Sequence, residues 1–427
     1  MVKTSSQPDK KPHFAFPKSF FWGSATSSHQ VEGGQDNNWT TWEKEHAGEL
    51  SRGSQKAFDT PSVHWYRMKD QALDPANYIS GQAVDHYNRF REDFDIAQDL
   101  KHTMHRFSLE WSRIEPQPGQ YDEAALTHYR EVIRALHSRN IEPMVTLFHF
   151  SLPKWVEARG GWTSAETLKS WRNYVSKVVD ALGDDVTYWC TVNEPEVFST
   201  FSYALGFWPP QQRSFLKAAR SYASLLPRAH IDAYHIIKRH NPKAQVGAAK
   251  NNMWYQATGR FVSPILERLA VWWGNHVFLD KIKKYQDFVG INYYFKYNLK
   301  GFGGEIDQQN PSEIGWGLHP EGLAVILQDL HKRYAKPVIV TECGLADSTD
   351  ELRTWYLKEI LRAVHRAMEA GVQVQGFLYW SLLDNFEWDK GFWPQFGLVS
   401  VDRKTQKRTI RPSAREYAKI IAANGLD

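Results

Sequence analysis

The chain has 427 residues, a formal net charge of +4 at pH 7, and 42% hydrophobic and 14% aromatic residues. Its length alone would suggest two or three domains, but α/β barrels of this size often form one domain. The small, scattered positive charge does not favour binding to nucleic acid or to a membrane surface. No apolar run approaches the roughly 18 residues of a membrane helix, so the composition indicates a large core and no membrane span.

The amino-terminal segment and the cysteines bear on processing and location. Residues 1–13, MVKTSSQPDKKPH, are polar and lack the apolar stretch of a secretory signal, so we expect a flexible tail followed by one folded domain at residues 14–427. The chain has two cysteines, Cys190 and Cys343, at or beside predicted strand ends. A single pair in so long a chain is more typical of reduced thiols in a cytoplasmic protein than of a disulfide framework.

Short apolar runs alternate with longer amphipathic stretches along the chain, which is typical of parallel strands with helices packed outside them. No Gly-, Ser- or Pro-rich linker interrupts this alternation. Strands are predicted at residues 20–25, 105–110, 143–148, 187–192, 245–249, 287–292, 337–341 and 376–380, and helices at 93–100, 123–138, 164–182, 214–240, 322–334 and 349–370. Eight such units predict a single α/β domain of the (β/α)8 TIM-barrel class, with long loops after strands one, four, six and eight.

Two of the predicted strands lead into a glutamate. The run 187–192 is followed by Asn193 and Glu194, and Pro195 then ends the strand because it has no N–H to donate. The apolar run 338–340 leads in the same way to Glu342. One glutamate at a strand end is usually a surface or capping residue. Two in matching contexts supply the pair of carboxyl groups that glycoside hydrolysis requires.

Polar and aromatic side chains also follow other predicted strands. Gln30 follows the first strand, and its amide can both donate to and accept from sugar hydroxyls. Arg106 in the second strand is equally consistent with holding a catalytic carboxylate ionised and with a structural ion pair. His149, after the third strand, is by itself more typical of a core than of a ligand site. Tyr293 or Tyr294, after the sixth strand, is consistent with either a contact to a carboxylate or ordinary packing.

The segment after the eighth strand, YWSLLDNFEW at residues 379–388, is the most specific of these signals. Trp380 offers a flat surface for a sugar ring, and Glu387 and Trp388 follow it. Phe396 lies in the next stretch, GFWPQFGLVSVD at residues 391–402. A core strand has no need of an acidic residue between two aromatic ones. An ionised carboxylate, in contrast, accepts hydrogen bonds from two vicinal hydroxyls at once.

These motifs resemble glycoside hydrolase family 1, the β-glucosidase family. The resemblance is carried by NEP at 193–195, TE-x-G at 341–344 and YWSLLDNFEW, and it extends from about Phe14 to about Ile421. It implies a retaining exo-β-glycosidase acting on terminal β-D-glucosyl residues, and on β-galactosyl and β-fucosyl residues as side substrates. In that family pattern Glu194 would be the acid/base and Glu342 the nucleophile.

The resemblance also implies supporting roles. Arg106 and Tyr294 would position Glu342, while the sugar would be bound by Gln30, His149, Asn193, Trp380, Glu387, Trp388 and Phe396. One position departs from the family pattern, which usually reads TENG, because Cys343 stands in place of the asparagine. A thiol cannot replace the strong donor and acceptor of an amide, so we expect weaker support beside Glu342.

The implied chemistry is double displacement through a covalent glycosyl-enzyme. Glu194, protonated because burial and its negative partner raise its pKa, would donate to the leaving oxygen while Glu342 attacks the anomeric carbon. Carboxyl groups about 5–5.5 Å apart serve this route, whereas roughly 6.5–9.5 Å serves inversion. No metal and no organic cofactor are expected, because the histidines show no HExxH spacing and the chain has no GxGxxG or P-loop.

Other activities stay open on the sequence alone. A transglycosidase would use the same intermediate with a different acceptor, and a catalytically silent carbohydrate-binding barrel would have lost one of the two glutamates. A phospho-glycosidase is disfavoured because Glu387 is intact, and a plant-type thioglucosidase because Glu194 is present. The expected partners are small β-glucosides or oligosaccharides. The sequence does not determine the aglycone or the oligomeric state.

Overall fold

The computed structural model describes residues 13–54, 65–258, 264–300 and 303–427. Among them, eight parallel strands close into a barrel in which neighbours in the chain are neighbours in space and the last strand pairs with the first. The strands are β1 (Phe21–Ala25), β2 (Met104–Ser108), β3 (Glu142–Phe148), β4 (Tyr188–Asn193), β5 (Gln245–Asn251), β6 (Val289–Asn292), β7 (Val338–Cys343) and β8 (Val374–Trp380). The predicted (β/α)8 fold is confirmed, and each predicted strand end lies within two residues of the observed one.

Helices surround the barrel, and their apolar faces pack on it. The helix Glu123–His137 is representative: the Asp122 side chain caps it by accepting from two main-chain N–H groups, and its buried residues recur at helical spacing. The described helices are Ser28–Val31, Asn38–Ser54, Trp65–Leu73, His86–Asp99, Trp111–Ile114, Glu123–His137, Lys154–Ala158, Glu166–Leu182, Pro195–Ser199, Phe215–Arg220, Leu226–His240, Pro264–Val271, Val277–Ile282, Glu321–Tyr334, Arg353–Glu369 and Pro412–Ala423.

The connections after the strands differ from the prediction in one respect. Long connections follow β1, β4, β6 and β8 as expected, but the connection after β5 is also long and carries the helix Pro264–Val271. It also contributes the strand Trp254–Ala257, which pairs with Lys296–Lys300, and that strand pairs with Gly303–Ile306. These short elements have too few residues to show a clear period in the sequence, so the small sheet above the barrel was not predicted.

The two ends of the described chain meet. Phe14–Ala15 pairs antiparallel with Gly425–Leu426. The predicted flexible tail at residues 1–13 lies outside the described residues apart from His13.

Both cysteines are buried and free. No helix in the described ranges is long and apolar enough to cross a membrane.

Apolar side chains fill one part of the barrel interior. They come from successive strands and leave the carboxyl ends of the strands to polar groups. This group comprises Met104, Met144, Cys190, Ala249, Phe288, Ile339 and Leu378. We call these seven residues the apolar floor of the barrel, and the polar groups of the site lie above it.

A buried ion pair joins the helix His86–Asp99 to the carboxyl-terminal part of the chain. Arg408 Nε donates to Asp93 Oδ1 at 2.8 Å, and His86 Nδ1 lies 2.7 Å from the other carboxylate oxygen. Burial opposes the charged form of Asp93, but the hydrogen bonds from His86 and Arg408 outweigh it and hold the pKa of the carboxyl below its usual range. Removing the guanidinium would leave the buried carboxylate with its hydrogen bond to His86 but without its permanently charged partner.

We expect Arg408→Met to lower the free energy of unfolding by about 3–5 kcal/mol at pH 7, because it leaves Asp93 buried without its cation. Guanidinium chloride titration measures the loss. Since the pKa of Asp93 is lowered in the folded state, the stability that its charge contributes is present above its unfolded pKa of about 3.9 and is lost as pH falls through the folded value. The difference between variant and parent should therefore shrink in acid.

Arg91→Met is the matched control, since Arg91 pairs with Glu131 at an exposed site. It should cost less than about 1 kcal/mol. Equal losses for the two variants would contradict a stabilising role for the buried pair.

Candidate active site

Both strands that carry the predicted glutamates are irregular near their carboxyl ends. The register of β4 against β5 shifts between Cys190 and Asn193, and that of β7 against β6 shifts between Val340 and Glu342. Such bulges re-aim side chains and are common beside active sites. Glu194 follows β4 directly in a left-handed conformation, with φ of 40°, which is uncommon for a residue with a side chain.

Glu342 is held by two donors inside the barrel. Arg106 Nη1 donates to its Oε1 at 2.5 Å, and the Tyr294 hydroxyl donates to its Oε2 at 2.8 Å. The same guanidinium donates to Asn193 Oδ1 at 2.7 Å and to Thr146 Oγ1 at 2.9 Å. The carboxyl of Glu342 is therefore fixed in orientation by groups that are themselves fixed.

Glu194 has a different neighbour, the neutral amide of Asn292. Asn292 Nδ2 donates to Glu194 Oε1 at 2.8 Å, and its own Oδ1 accepts from the Thr341 hydroxyl at 2.8 Å. The accepted hydrogen bond fixes which end of the amide faces Glu194. This contact was not predicted from the sequence, because nothing in the run GINYYF at residues 290–295 distinguishes an inward amide from a packed one.

The two carboxyl groups have unequal surroundings. Burial, then the charges of Glu342 and Glu196, raise the pKa of Glu194 well above its usual range. Burial also raises the pKa of Glu342, but Arg106 and the hydrogen bond from Tyr294 oppose it. Proton loss is thus easier at Glu342, which has a cation against it, than at Glu194.

The polar wall beside the two glutamates comes from the segments after β1, β3, β4 and β8. The Gln30 amide donates to Glu387 Oε2 at 3.2 Å, and Asn193 Nδ2 donates to His149 Nε2 at 3.2 Å. His149 Nδ1 is buried and has no partner among the described groups. Burial, followed by the charge of Arg106, lowers the pKa of His149 well below its usual range, so the ring is neutral.

Two tryptophan rings lie almost parallel to the His149 ring. The ring centroids of Trp380 and Trp388 are 5.9 Å and 6.0 Å from it, with interplanar angles of 22° and 16°. Trp388 also stacks on His29. These contacts hold both indoles in place at the cavity.

The charge state of Glu387 differs from the expectation. Burial, then the charges of Glu342 and Asp389, raise the pKa of Glu387 to about 8. Its carboxyl is therefore mostly protonated at neutral pH in the free protein, rather than ionised as predicted. Burial accounts for most of this, and the charges of Glu342 and Asp389 add to it. The proximity of these carboxyl groups is a tertiary property that the sequence does not reveal.

The predicted residues surround one cavity of about 910 Å3 at the carboxyl ends of the strands. Gln30 and Arg106 lie behind its wall, fully buried, and act through Glu387 and Glu342. The predicted residues that line it are His149, Asn193, Glu194, Tyr294, Glu342, Trp380, Glu387, Trp388 and Phe396. Among the described residues no group of three or more His, Cys, Asp or Glu could hold a metal ion.

A buried ion pair at the cavity was missed by the sequence analysis. Lys250 Nζ lies 3.1 Å from Glu196 Oε1, and Glu196 lines the cavity two residues after Glu194. Lys250 also donates to the carbonyl oxygen of Gly274 at 2.6 Å. The only sequence signal was a lysine directly after the fifth predicted strand, at residues 245–249.

Cys343 does not lie beside the carboxyl of Glu342, contrary to the expectation. Its sulfur points out of the barrel, 3.6 Å from the Tyr356 hydroxyl on the helix Arg353–Glu369, and burial raises the pKa of the thiol to about 12. Successive strand residues face opposite sides, so the alternation itself predicts this placement. Gly344 of the same motif has a clear role, because a Cβ there would lie 1.9 Å from the carbonyl oxygen of Trp380.

The fold and the site together define a class of protein. A (β/α)8 barrel with two buried glutamates, from different strands, in a cavity of aromatic and polar side chains has the construction of a glycoside-cleaving enzyme. The chain belongs to glycosyl hydrolase family 1, because the model of that family matches residues 13–280 and 275–426.

Individual relatives cover nearly the whole chain. Beta-glucosidase A of Thermotoga maritima is 29% identical over 96% of this chain and 99% of its own. The chloroplastic galactolipid galactosyltransferase SFR2 of Arabidopsis thaliana is 32% identical over 94% of this chain and 72% of its own. The solved beta-glycosidase from Pyrococcus horikoshii is 33% identical and superimposes with a TM-score of 0.85 over 97% of this chain and 96% of its own.

The environment of Glu194 predicts opposed effects of two substitutions on its pKa. Glu196→Gln removes a negative charge and leaves Lys250 uncompensated, so the pKa of Glu194 should fall. Asn292→Ala removes a hydrogen bond that favours the charged form, so the pKa should rise. A 13C NMR titration of Cδ-labelled glutamates measures both, with the Glu194 signal identified by its loss in Glu194→Gln. Shifts in the same direction would contradict this account.

The outward thiol leads to a separate prediction. Cys343→Ala should leave kcat/KM for an aryl β-glucoside within about twofold of the parent, because the sulfur contacts Tyr356 and not the cavity. It should lower the free energy of unfolding by about 1 kcal/mol, the typical cost of a small core truncation. A large fall in kcat at unchanged stability would show that the thiol supports Glu342.

Proposed function

We propose that the protein is a retaining exo-β-glycosidase that removes terminal β-D-glucosyl residues by double displacement. The observation that carries the proposal is the unequal treatment of two carboxyl groups at one cavity. Glu342 is bonded to Arg106 and Tyr294, while Glu194 is bonded to the neutral Asn292 and has a pKa raised well above its usual range. A nucleophile needs the first environment and a general acid needs the second.

In the first step, Glu342 attacks the anomeric carbon and Glu194 gives its proton to the leaving oxygen. The glycosidic bond breaks and a bond to the Glu342 oxygen forms, which neutralises the charge that had raised the pKa of Glu194. Glu194, now ionised, then takes a proton from water as water attacks the same carbon, and the bond to the Glu342 oxygen breaks, which returns its electron pair to the Glu342 carboxylate. Two displacements leave the product with its β configuration.

The sugar is oriented by the polar wall in this proposal. Asn193 and His149 offer groups to the hydroxyls, with Asn193 facing the 2-hydroxyl, and Trp380 and Trp388 frame the ring. The carboxyl of Glu387 offers an acceptor oxygen to the sugar hydroxyls and, in its protonated form, an O–H donor as well. Supporting evidence comes from the name of the Thermotoga maritima relative, a beta-glucosidase. Terminal β-galactosyl and β-fucosyl residues are proposed side substrates.

We also propose a cytoplasmic location, because both cysteines are free and buried. Transglycosylation is the second candidate activity, and the relative named as a galactosyltransferase favours testing it. It differs from hydrolysis in the acceptor that meets the glycosyl-enzyme.

The stereochemistry of the first product tests the proposal. Proton NMR of an aryl β-glucoside digest should show β-glucose before mutarotation produces the α anomer. α-Glucose as the first product would rule out double displacement. A new glucoside formed in place of free glucose would identify a transglycosidase, and no release from any aryl β-glycoside would leave a silent binding barrel.

Two substitutions separate the roles of the carboxyl groups. Glu342→Gln should lower kcat by about 10⁴-fold or more on every substrate, because the amide cannot form the intermediate. Glu194→Gln should spare the first step for substrates with good leaving groups and slow it for poor ones. Glu115→Gln is the control, since Glu115 is a buried glutamate that does not line the cavity. Equal losses on both substrate types in Glu194→Gln would refute its assignment as the acid.

A further inference from the structure

A fully buried lysine lies at the cavity end of β5. The Nζ of Lys250 donates to the carbonyl oxygens of Asn251 at 2.5 Å and Gly274 at 2.6 Å. Its third partner is Glu196 Oε1, at 3.1 Å. An ammonium group has three protons to donate, and these three acceptors can receive all of them. The surroundings of Lys250 therefore favour its charged form.

Glu196 is in turn held as a carboxylate by Lys250. It is buried, lines the cavity, and lies on the helix Pro195–Ser199, two residues after Glu194. Burial raises the pKa of Glu196 and lowers the pKa of Lys250, and in each group the charge of the other is the largest opposing cause. Removing one partner of a buried ion pair leaves an uncompensated charge, which is strongly destabilising. The two residues therefore carry their charges together.

The charges that face Glu194 come from several elements. Glu342 of β7 and Glu196 of the helix Pro195–Ser199 raise the pKa of Glu194, and Arg106 of β2 lowers it. Lys250 of β5 interacts with Glu194 less strongly than with Glu196. At Glu194 the pair therefore acts mainly through its negative member.

The titratable tyrosines around the two glutamates are uncharged. Burial, followed by a nearby carboxylate, raises the pKa of Tyr294 beside Glu194 well above its usual range. Tyr222 and Tyr255 face Glu196, and their pKa values are raised in the same way. The charge of Glu196 is therefore balanced by Lys250 and not by a second titrating group among these neighbours.

The charges around Glu194 change during the proposed reaction. Formation of the glycosyl-enzyme turns the Glu342 carboxylate into an uncharged ester, and Arg106 then loses the anion that it contacts in the free protein. Both changes favour the ionised form of Glu194 and so make it a weaker base. Glu196 forms no bond to the sugar, so its charge stays beside Glu194 through both steps.

We propose that Glu196, kept ionised by Lys250, is a positioning residue that acts through Glu194 and keeps it a strong enough base for the second step. The inference rests on the proposed function, because it concerns the glycosyl-enzyme. In that step the water oxygen bonds to the anomeric carbon and its proton passes to Glu194. The bond to Glu342 breaks and returns its electron pair to that carboxylate. A base of higher proton affinity takes the proton of water more readily.

The test uses the double variant Glu196→Gln/Lys250→Met, which removes both charges and leaves neither group buried without its partner. With 2,4-dinitrophenyl β-D-glucoside the leaving group is good, so breakdown of the glycosyl-enzyme limits kcat. The plateau value of kcat should fall by about two- to fivefold, because Glu194 becomes a weaker base. A burst of dinitrophenolate in the parent verifies that the second step is limiting.

The pH profiles of the double variant distinguish a lost charge from lost structure. The acid limb of kcat for the dinitrophenyl substrate follows the ionisation of Glu194 in the glycosyl-enzyme. The alkaline limb of kcat/KM for phenyl β-D-glucoside, whose poorer leaving group needs the acid, follows the same group in the free protein. Both limbs should move to lower pH, because the pKa of Glu194 falls when the negative neighbour is removed. Rates that fall while both limbs stay in place would overturn the inference.

Lys250→Met alone separates an effect through Glu196 from a direct effect of the lysine. Without the cation, the buried carboxyl of Glu196 takes up a proton, so both limbs should move to lower pH as in the double variant. Removing a cation that acted directly on Glu194 would move them to higher pH instead. That outcome would overturn the inference.

Lys238→Met/Asp287→Asn is the matched control. Lys238 Nζ lies 2.8 Å from Asp287 Oδ2, and neither residue lines the cavity. This variant should leave the plateau of kcat and both limbs unchanged, and equal movement of the limbs in the two double variants would overturn the inference. Failure of the proposed function is recognised in the parent alone, by α-glucose as the first product or by no release from any aryl β-glycoside.

Discussion

The buried guanidinium of Arg106 is the interaction on which the site depends. A charge inside a barrel must be paired and fully hydrogen-bonded, and Arg106 meets this with Glu342, Asn193 and Thr146. Because the cation bonds to Glu342, the carboxyl of Glu194 is left with the neutral Asn292. This buried charge, together with the hydrogen bond from Tyr294 to Glu342 and the charge of Glu196 beside Glu194, makes the proton affinities of the two glutamates differ. The same guanidinium orients the Asn193 amide.

The barrel holds the site rigidly, and irregularities in its strands set the direction in which the two glutamates point. In a regular strand successive side chains face opposite sides, so only every second residue would point toward the cavity. The register shifts in β4 and β7 come just before the two glutamates, and Glu194 takes a left-handed backbone conformation. Conformations of this kind cost free energy and are maintained by the surrounding packing. Here that packing is the apolar floor of the barrel and the helices outside it.

The polar and apolar parts of the cavity lining come from the connections after different strands. The segments after β3, β4 and β8 bring polar and aromatic groups to the cavity, and those after β5 and β6, with part of the β4 segment, bring mainly apolar and aromatic ones. Loops of a barrel vary without disturbing the strands, so the buried carboxyl groups and the apolar part of the cavity are structurally separable.

The sequence by itself determined the barrel, the two glutamates and the family, because those depend on local patterns: alternating strands and helices, NEP, TE-x-G and YWSLLDNFEW. It also singled out Arg106 and Tyr294. Only the tertiary structure decided the rest. The bond between Asn292 and Glu194, the Glu196–Lys250 pair and the raised pKa of Glu387 depend on which side chains share one low-dielectric space. The apolar part of the cavity lining likewise comes from three connections that are distant in the chain, those after β4, β5 and β6. No local sequence pattern predicts that they come together.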